Sequence, residues 1–202
     1  MKKYDIIIIG GGVTGAAIAR EMSRYKLDIA LLEKEEELAF GVSKSNSGII
    51  HPGTQNPPNS LKGRLCVQGN RLTGIIAREL GVDFKRVGEL IVALSHEDLP
   101  GLLKIKRDAQ ILGVPGLRIV GAEWLRAHEP NLSENAVAAL LAPTAGIISP
   151  YRWVYDIAEN SRKNGVEIFT STKVTAVNFR KERFFSVITD KGEFSAAFVI
   201  NC

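Results

Sequence analysis

Cysteine and histidine are both scarce in this chain, with two cysteines and three histidines in 202 residues. The two cysteines, Cys66 and Cys202, are too few and too far apart to predict a disulfide framework or a metal site. No apolar run reaches the length of a membrane-spanning helix. The net charge of +4 is spread along the chain, and basic and aromatic residues form no common stripe. We therefore expect no metal, no nucleic-acid partner and no transmembrane segment.

The first distinctive stretch is residues 5–19, DIIIIGGGVTGAAIA. One interpretation is a secretory signal, because two lysines precede the apolar run and Ala17-Ile18-Ala19 resembles a cleavage site. Asp5 and the glycines argue against it, since they interrupt what would have to be a compact apolar helix. The alternative is a strand buried on both faces from Lys3 to Ile9, then a glycine turn and a helix from Val13. We adopt this second interpretation because it explains the glycines.

The glycines of this turn have the spacing GxGxxG, and each is expected to serve a different purpose. Gly10 permits a tight turn, Gly12 lets a pyrophosphate approach the backbone, and Gly15 lets the helix pack close to the strand. The first helical residues, Val13 and Thr14, lie where free N–H groups and the positive end of the helix dipole favour a phosphate. The spacing therefore predicts a dinucleotide site.

A second apolar strand, LDIALLEK, ends in Glu33, which lies 18 residues beyond Gly15. A carboxylate at this place accepts hydrogen bonds from ribose hydroxyls in dinucleotide-binding folds. The alternative is an ordinary charged residue at the end of a strand. We assign Glu33 to the ribose and include the adjacent Lys34 in the cofactor site.

The middle of the chain departs from an NAD-type half-domain. Residues 41–63 are rich in Ser, Asn, Gly and Pro and predict an extended loop, with a short strand at Gly48 to His51. Alternating helices and strands follow, and Ser60 and Gly81 have the character of an N-cap and a C-cap. The predicted elements are a helix at 60–80, one or two strands of a separate sheet at 84–94, helices starting at Asp98 and Ala122, a strand at 136–143 and a helix starting at Ser149.

The last 37 residues predict four short strands, VEIFT, KVTAVNF, RFFSVITD and EFSAAFVINC. Asp190-Lys191-Gly192 predicts a hairpin turn between the last two. We interpret the four strands as a β-meander whose final strand pairs beside the first strand of the chain. This arrangement is typical of the FAD domains of two-domain flavoproteins.

Several segments together resemble the FAD-dependent oxidoreductases of the D-amino-acid-oxidase superfamily, in the branch of glycerol-3-phosphate and L-2-hydroxyglutarate dehydrogenases. The segments that carry the resemblance are spread over the whole chain: IIIIGGGVTGAAIAR, LLEK, NSGIIHPG, SLKGRLCVQGNRL, EPNL, AGIISPYRW and VINC. The implied fold class is α/β, with a Rossmann-like FAD domain of the glutathione-reductase type, a β-meander and part of an α+β substrate domain. We expect residues 1–80 and 145–202 to form the FAD domain and residues 81–144 the partial substrate domain.

The resemblance also implies cofactor contacts. It places the FAD pyrophosphate on the three glycines of the turn and the adenosine ribose on Glu33. Four polar or small residues of the following loop would lie along the pyrophosphate and the flavin, and Val174 would contact the adenine region through its backbone. The four loop residues are Ser43, Asn46, Ser47 and Gly48.

The implied chemistry is transfer of a hydride from a carbinol carbon to flavin, while a base takes the hydroxyl proton. His51 is the candidate catalytic residue, because an imidazole suits proton transfer near neutral pH. Three alternatives remain: a hydrogen bond beneath the flavin, a covalent bond to it, or a purely structural role. The expected substrate is glycerol 3-phosphate or a short 2-hydroxy acid, and an amine or amino-acid oxidase on the same scaffold is the alternative.

In proteins similar to this one, a long C-terminal half follows the final strand, whereas this chain ends at Cys202. We therefore expect a truncated gene product or one subunit of a split enzyme, completed by a complementing C-terminal subunit. A non-catalytic flavin-binding subunit or an inert fragment is the alternative from another class. The expected location is the cytoplasm or the periphery of the inner membrane face.

Overall fold

A computed structural model describes residues 3–180 and 184–202. The chain divides into two compact units, one of residues 1–47 and 149–202 and the other of residues 48–148. The elements of the described residues, in chain order, are β1 Lys3–Ile9, α1 Val13–Met22, β2 Ile29–Leu32, β3 Ile49–Ile50, α2 Leu61–Leu80, β4 Phe84–Lys85, β5 Glu89–Ala93, α3 Leu99–Ile111, β6 Arg118–Gly121, α4 Ala122–His128, β7 Ala138–Ala142, β8 Gly146–Ile148, α5 Pro150–Lys163, β9 Glu167–Phe169, β10 Val174–Phe179, β11 Phe185–Thr189 and β12 Gly192–Asn201.

The first unit contains a six-stranded sheet in the order β10-β11-β12-β1-β2-β9. β1 lies between two parallel neighbours, so Ile7 is opposite Ala30 of β2 and Val199 of β12. The prediction that the final strand pairs beside the first is therefore confirmed. The hairpin turn is also confirmed, because β11 and β12 pair antiparallel with Thr189 opposite Gly192. Arg183, the first residue of the predicted strand RFFSVITD, lies outside the described residues.

One strand of the predicted meander lies elsewhere in the sheet. β9 pairs parallel with β2 at the opposite edge from β10 and β11, with Leu31 opposite Ile168. The prediction that VEIFT belongs to the meander was therefore wrong. The physical reason is the helix α5 directly before β9, because a helical crossover returns the chain to a parallel position in a sheet. The meander consists of β10, β11 and β12.

Helices α1 and α5 pack against each other in the first unit. α1 contributes small residues, Ala16 and Ala19, and α5 contributes Val154 and Ile157, all four buried. The sheet supplies a continuous apolar run, because all four residues of β2 are buried. Burial on both faces is expected of a parallel strand, so β2 and β1 form the centre of this core.

The second unit contains two three-stranded sheets, in the orders β3-β8-β4 and β5-β7-β6. Residues 84–94 therefore form two strands, and the strands belong to different sheets. Gly88, with φ of +80°, lies between them. The predicted caps of α2 are confirmed: the Ser60 hydroxyl accepts a hydrogen bond from the Gly63 N–H at 3.0 Å, and Gly81 ends the helix with φ of +69°.

The predicted fold class is confirmed, since the molecule is mixed α/β with a largely parallel central sheet and an antiparallel extension. The compact units divide at residues 47/48 and 148/149, so α2 packs with the second unit. Compactness does not assign cofactor or substrate roles, and the functional division at 80/81 and 144/145 stays a prediction. Within the described residues, no helix combines the length and the apolar character needed to cross a membrane.

Candidate cofactor and catalytic sites

The glycine turn between β1 and α1 has little room for side chains. Gly10 adopts φ of +107°, and a Cβ there would lie 2.7 Å from the carbonyl oxygen of Cys202. At Gly15 a Cβ would overlap the carbonyl oxygen of Gly10, which explains how closely the helix approaches the end of the strand. At Gly12 a Cβ would lie 3.2 Å from the Ser43 hydroxyl, so a side chain fits there only if Ser43 shifts. The tight backbone at Gly10 and the close approach at Gly15 agree with the roles that the spacing predicts, and the pyrophosphate contact at Gly12 stays a prediction.

Glu33 is 8% exposed, and its carboxylate supports this turn. One oxygen accepts a hydrogen bond from the Gly11 N–H at 2.6 Å, and the other accepts one from the Glu35 N–H at 3.0 Å. Each carboxylate oxygen has two acceptor sites, so both can accept a further hydrogen bond from a ribose hydroxyl. Glu33 therefore has a structural function in addition to the predicted ribose contact.

The loop that follows β2 folds over the start of α1. The Ser43 hydroxyl accepts a hydrogen bond from the Val13 N–H at 2.9 Å, which satisfies one of the free donors at the helix N-terminus. The side-chain amide of Asn46 donates to the carbonyl oxygen of Val42 at 3.0 Å. Ala39 adopts a left-handed backbone with φ of +64°, and its N–H donates to the Gly11 carbonyl at 3.0 Å. The loop is thus tied to the glycine turn at two places.

Glu37 ties the same loop to α5. It accepts a hydrogen bond from the Lys44 ammonium at 2.6 Å and another from the Tyr155 hydroxyl at 2.8 Å. These two donors lower the pKa of the Glu37 carboxyl below its ordinary value, with Lys44 the larger cause. The loop is therefore held by charge as well as by backbone hydrogen bonds.

A cleft of about 370 Å³ opens beside the glycine turn, within the range of small-molecule sites. Six of the predicted cofactor residues line it: Gly10, Gly12, Glu33, Lys34, Ser43 and Val174. Sequence reasoning did not select the other residues of the lining that could contact a nucleotide, which include Ala39, Phe40, Gly41, Val42, Thr172 and Lys173. Glycine backbone, two glutamates and two lysines surround this cleft, and the glycine backbone with Glu33 fits the nucleotide half of FAD.

The other predicted cofactor residues lie outside that lining. Gly15 is buried behind the turn, while Val13, Thr14, Asn46 and Ser47 are exposed in the same unit. Gly48 belongs to the second unit, where it is buried and adopts φ of +68°. The cofactor contacts of these residues stay predictions.

His51 lies in the second unit, just after β3, and its imidazole has a defined neighbour. Its Nδ1 is 3.2 Å from a carboxylate oxygen of Glu89, the first residue of β5. The other oxygen of Glu89 accepts a hydrogen bond from the Thr54 hydroxyl at 2.7 Å. The side chain of His51 is 55% exposed, whereas that of Glu89 is 16% exposed. The imidazole therefore remains accessible while its carboxylate partner is largely covered.

The backbone of His51 is anchored separately. Asn70 of α2 is 6% exposed, and its amide donates to the carbonyl oxygens of His51 at 3.1 Å and of Thr144 at 2.9 Å. Arg86 donates in turn to the Asn70 amide oxygen at 3.0 Å. A buried amide thus holds the His51 backbone, while the ring contacts Glu89.

Neither Glu89 nor Thr54 was selected from the sequence. Glu89 is 38 residues from His51 and lies in a strand, where a lone glutamate has no recognisable spacing to a histidine. Thr54 is three residues from His51, and a Thr close to a candidate histidine is the only signal that the sequence contained.

Both cysteines are free thiols. Burial is the main cause that raises the pKa of the Cys66 thiol, as it does for Cys202. In residues 3–180 and 184–202, no three His, Cys, Asp or Glu side chains gather in a way that would hold a metal ion.

Comparison with known proteins identifies relatives along nearly the whole chain. The profile of the FAD dependent oxidoreductase (DAO) family matches residues 5–202. The glycerol 3-phosphate dehydrogenase of Caloramator mitchellensis is 41% identical over 199 residues, which cover 98% of this chain and 41% of that protein. Human mitochondrial L-2-hydroxyglutarate dehydrogenase is 35% identical over 181 residues, which cover 89% of this chain and 39% of that protein.

Solved structures give the same result for the fold. FAD-bound L-α-glycerophosphate oxidase from Mycoplasma pneumoniae matches with a TM-score of 0.94 and 28% identity, over 98% of this chain and 53% of that one. Glycine oxidase from Geobacillus kaustophilus matches with a TM-score of 0.90 over 100% of this chain and 55% of that one, but at 24% identity this likeness concerns the fold alone. This chain thus spans about half the length of these proteins or less. It belongs to the FAD dependent oxidoreductase family, and the family and the FAD-bound neighbour support FAD as its cofactor.

Proposed function

We propose that this chain is the FAD-binding part, with a portion of the substrate domain, of a dehydrogenase that oxidises glycerol 3-phosphate or a short 2-hydroxy acid such as 2-hydroxyglutarate. Relatives at 41% and 35% identity carry the names of these two activities. Both substrates have a secondary alcohol close to an anionic group. The observation that carries the proposal is the cleft at the glycine turn, where Glu33 and the glycine backbone meet.

The proposed cofactor contacts follow from the residues of the first unit. The pyrophosphate lies over Gly12 and the N-terminus of α1, where the helix dipole favours negative charge. Glu33 accepts hydrogen bonds from the adenosine ribose, and Val174 borders the adenine. Lys173 adds positive charge at the cleft, where Lys34 is paired with Glu35 at 3.6 Å. The remaining proposed contacts to the pyrophosphate and flavin come from Ser43, Asn46, Ser47 and Gly48.

When bound, FAD supplies a hydride acceptor. In the proposed reaction, the C–H bond at the carbinol carbon breaks with its electron pair, and His51 takes the hydroxyl proton at Nε2. A carbonyl product results, so protons and electrons balance. The accessible ring of His51 and the carboxylate at its Nδ1 support this assignment. A His51→Asn variant that reduced flavin at an undiminished rate would instead assign His51 to flavin contact or to structure.

Three further assignments belong to the same proposal. Residues 1–80 and 145–202 serve the cofactor, and residues 81–144 serve the substrate. The protein acts in the cytoplasm or at the inner membrane face. A complementing second chain is the proposed protein partner.

The first test is an absorbance spectrum of the purified 202-residue protein, recorded with increasing FAD. We expect saturable binding, seen as a shift of the visible flavin bands. Gly12→Ala should weaken the affinity about tenfold, because the added methyl group occupies the face at which the pyrophosphate approaches. Gly101→Ala is the matched control, since a Cβ at Gly101 meets nothing within 4 Å and Gly101 does not line the cleft. Absence of binding by a folded protein would overturn the cofactor assignment for this chain.

The second test adds substrates to the FAD-loaded protein under anaerobic conditions and follows bleaching of the flavin. Bleaching by glycerol 3-phosphate or by 2-hydroxyglutarate would identify the substrate. Bleaching by glycine alone would favour the amine-oxidase alternative. FAD binding without bleaching by any of them would indicate a flavin-binding subunit that is not catalytic by itself.

A further inference from the structure

We propose that Glu89, held by Thr54, is a positioning residue that fixes the tautomer and the orientation of the His51 imidazole. This inference rests on the proposed role of His51 as the base. Glu89 does not touch the reacting atoms in this scheme, and it acts through the ring of His51.

The tautomer follows from the chemistry of the two partners. An ionised carboxylate can only accept hydrogen bonds. The Nδ1 of His51, 3.2 Å from a Glu89 oxygen, must therefore be the donor. In a neutral imidazole one nitrogen carries the hydrogen and the other the lone pair, so the lone pair lies on Nε2. The nitrogen that can accept a proton is thus the one that Glu89 leaves free.

Glu89 is itself constrained, which a positioning residue requires. Its backbone pairs with β7, where it lies opposite Ala142. Each carboxylate oxygen has its own partner, Thr54 on one side and His51 on the other. The backbone of Glu89 is held by strand pairing, and the oxygen that does not face His51 is held by Thr54. A glutamate held in this way can keep the ring in one orientation, whereas a mobile surface glutamate would move with the ring.

The contacts of His51 other than that with Glu89 are made by its backbone. From β5, Glu89 is the group at the ring. From α2, the Cys66 thiol makes a weak contact of 3.6 Å to the His51 carbonyl oxygen. Arg86 reaches this region through Asn70, which its guanidinium contacts at 3.0 Å. The Cys66 and Asn70 contacts concern the backbone of His51, so the orientation of the imidazole depends on Glu89.

Because Asn70 and Glu89 contact different parts of His51, a positioning role of Glu89 can be distinguished from a purely structural one. Asn70 holds the His51 backbone without help from Glu89. Removal of the Glu89 carboxylate should therefore leave the strand and turn in place and change only the ring. A merely structural Glu89 would instead alter stability and leave the tautomer as it was.

The experiment measures the ring nitrogen shifts of His51 by ¹⁵N NMR in the 202-residue chain, at a pH where the imidazole is neutral. The chain has three histidines, and a His51→Asn variant identifies the relevant signals. We expect the Nδ1–H tautomer to dominate in the native chain. In Glu89→Ala the ratio of Nδ1–H to Nε2–H should fall about fivefold, the factor expected for loss of one ordinary hydrogen bond.

Two further variants control this result. Thr54→Val frees Glu89 without touching the histidine, so a smaller change in the same direction is expected, and this variant replaces Glu89→Ala if the latter does not fold. Glu134→Ala removes an exposed glutamate of the same unit and should change nothing. The inference would be overturned if the Nε2–H tautomer dominated in the native chain. It would also be overturned if the tautomer ratio were the same in the native chain, in Glu89→Ala and in Thr54→Val.

The positioning role of Glu89 and the proposed role of His51 as the base can fail independently, and the measurements distinguish the two cases. If the tautomer depends on Glu89 but His51→Asn keeps full flavin reduction, the positioning is real and the base assignment fails. If both hold, Glu89→Ala should lower kcat with little change in KM, because ring orientation affects proton transfer more than substrate binding.

Discussion

Each of the two units contains a glutamate whose side chain is largely covered. The two glutamates differ in their hydrogen-bond partners, which are backbone groups for one and side chains for the other. Glu33 accepts hydrogen bonds from backbone N–H groups, those of Gly11 and Glu35. Glu89 has side-chain partners: it accepts a hydrogen bond from the Thr54 hydroxyl, and it lies 3.2 Å from the Nδ1 of His51. The first carboxylate thus supports a turn, and the second contacts the ring of the histidine that we propose as the base. The site at the glycine turn is formed by backbone groups, so it requires glycine at particular positions. The surroundings of His51 are formed by side chains, so they require contacts between residues that are distant in sequence.

The largest expected effect tests the backbone-built site. Gly15→Ala would place a methyl group on the carbonyl oxygen of Gly10, where neither backbone can yield easily. We expect the first unit to lose about 3 kcal/mol of unfolding free energy, as for other overpacked positions, and to lose FAD binding. Trp153, in α5, reports this unit by fluorescence during urea unfolding in a Trp124→Phe background.

Gly41→Ala is the control, because the space around Gly41 is open. Equal stability of the Gly15 and Gly41 variants would mean that α1 can move away from the strand. The glycine turn would then be no more rigid than the side-chain contacts around His51.

The second prediction tests the side-chain-built site. Asn70→Ala removes a buried amide that donates to the His51 and Thr144 carbonyls and accepts from Arg86. Leaving such groups unsatisfied should destabilise the second unit by about 2 kcal/mol. Trp124, in a Trp153→Phe background, reports this unit, and Gln68→Ala on the exposed side of the same helix is the control. A change seen only by Trp153 would contradict the assignment of α2 to the second unit.

The smallest expected effect concerns a side-chain pair in the first unit. The Tyr4 hydroxyl donates to Glu167 at 3.2 Å, and burial, followed by the charge of Glu167, raises the pKa of Tyr4 to about 12. The ordinary value is 10.0, so the folded state holds the proton more tightly than the unfolded state between these values. This contribution to stability is complete below about pH 10 and is lost as the pH rises toward 12.

Urea unfolding of the native chain and of Tyr4→Phe across pH 8 to 11.5 checks this sign. The difference in stability between the two proteins should shrink with rising pH above about 10. A constant difference would show that the Tyr4 hydroxyl does not stay protonated in the fold, and that the first unit has no pH-sensitive side-chain pair of this kind.

The elements that the sequence predicted well are those with local chemical causes. The strand, glycine turn and helix at the start of the chain, the caps at Ser60 and Gly81 and the hairpin at 190–192 all depend on residues that are close in sequence. The strand β9 was predicted as an element but assigned to the wrong edge of the sheet, because strand pairing depends on the crossover helix before it. Short strands such as β8, with three residues, have no periodicity to read.

Half of the predicted cofactor residues line the cleft, whereas the side chains that contact His51 were not predicted, and the cause is physical. The sequence by itself determined the glycine turn, the placement of Glu33 and the choice of His51, because glycine spacing and residue chemistry are visible without coordinates. Tertiary structure decided that Glu33 supports the turn as well as facing the cleft, and it brought Thr172 and Lys173 to that cleft. It also decided which carboxylate meets His51, because Glu89 reaches the ring only after β5 has paired with β7, across 38 residues of chain.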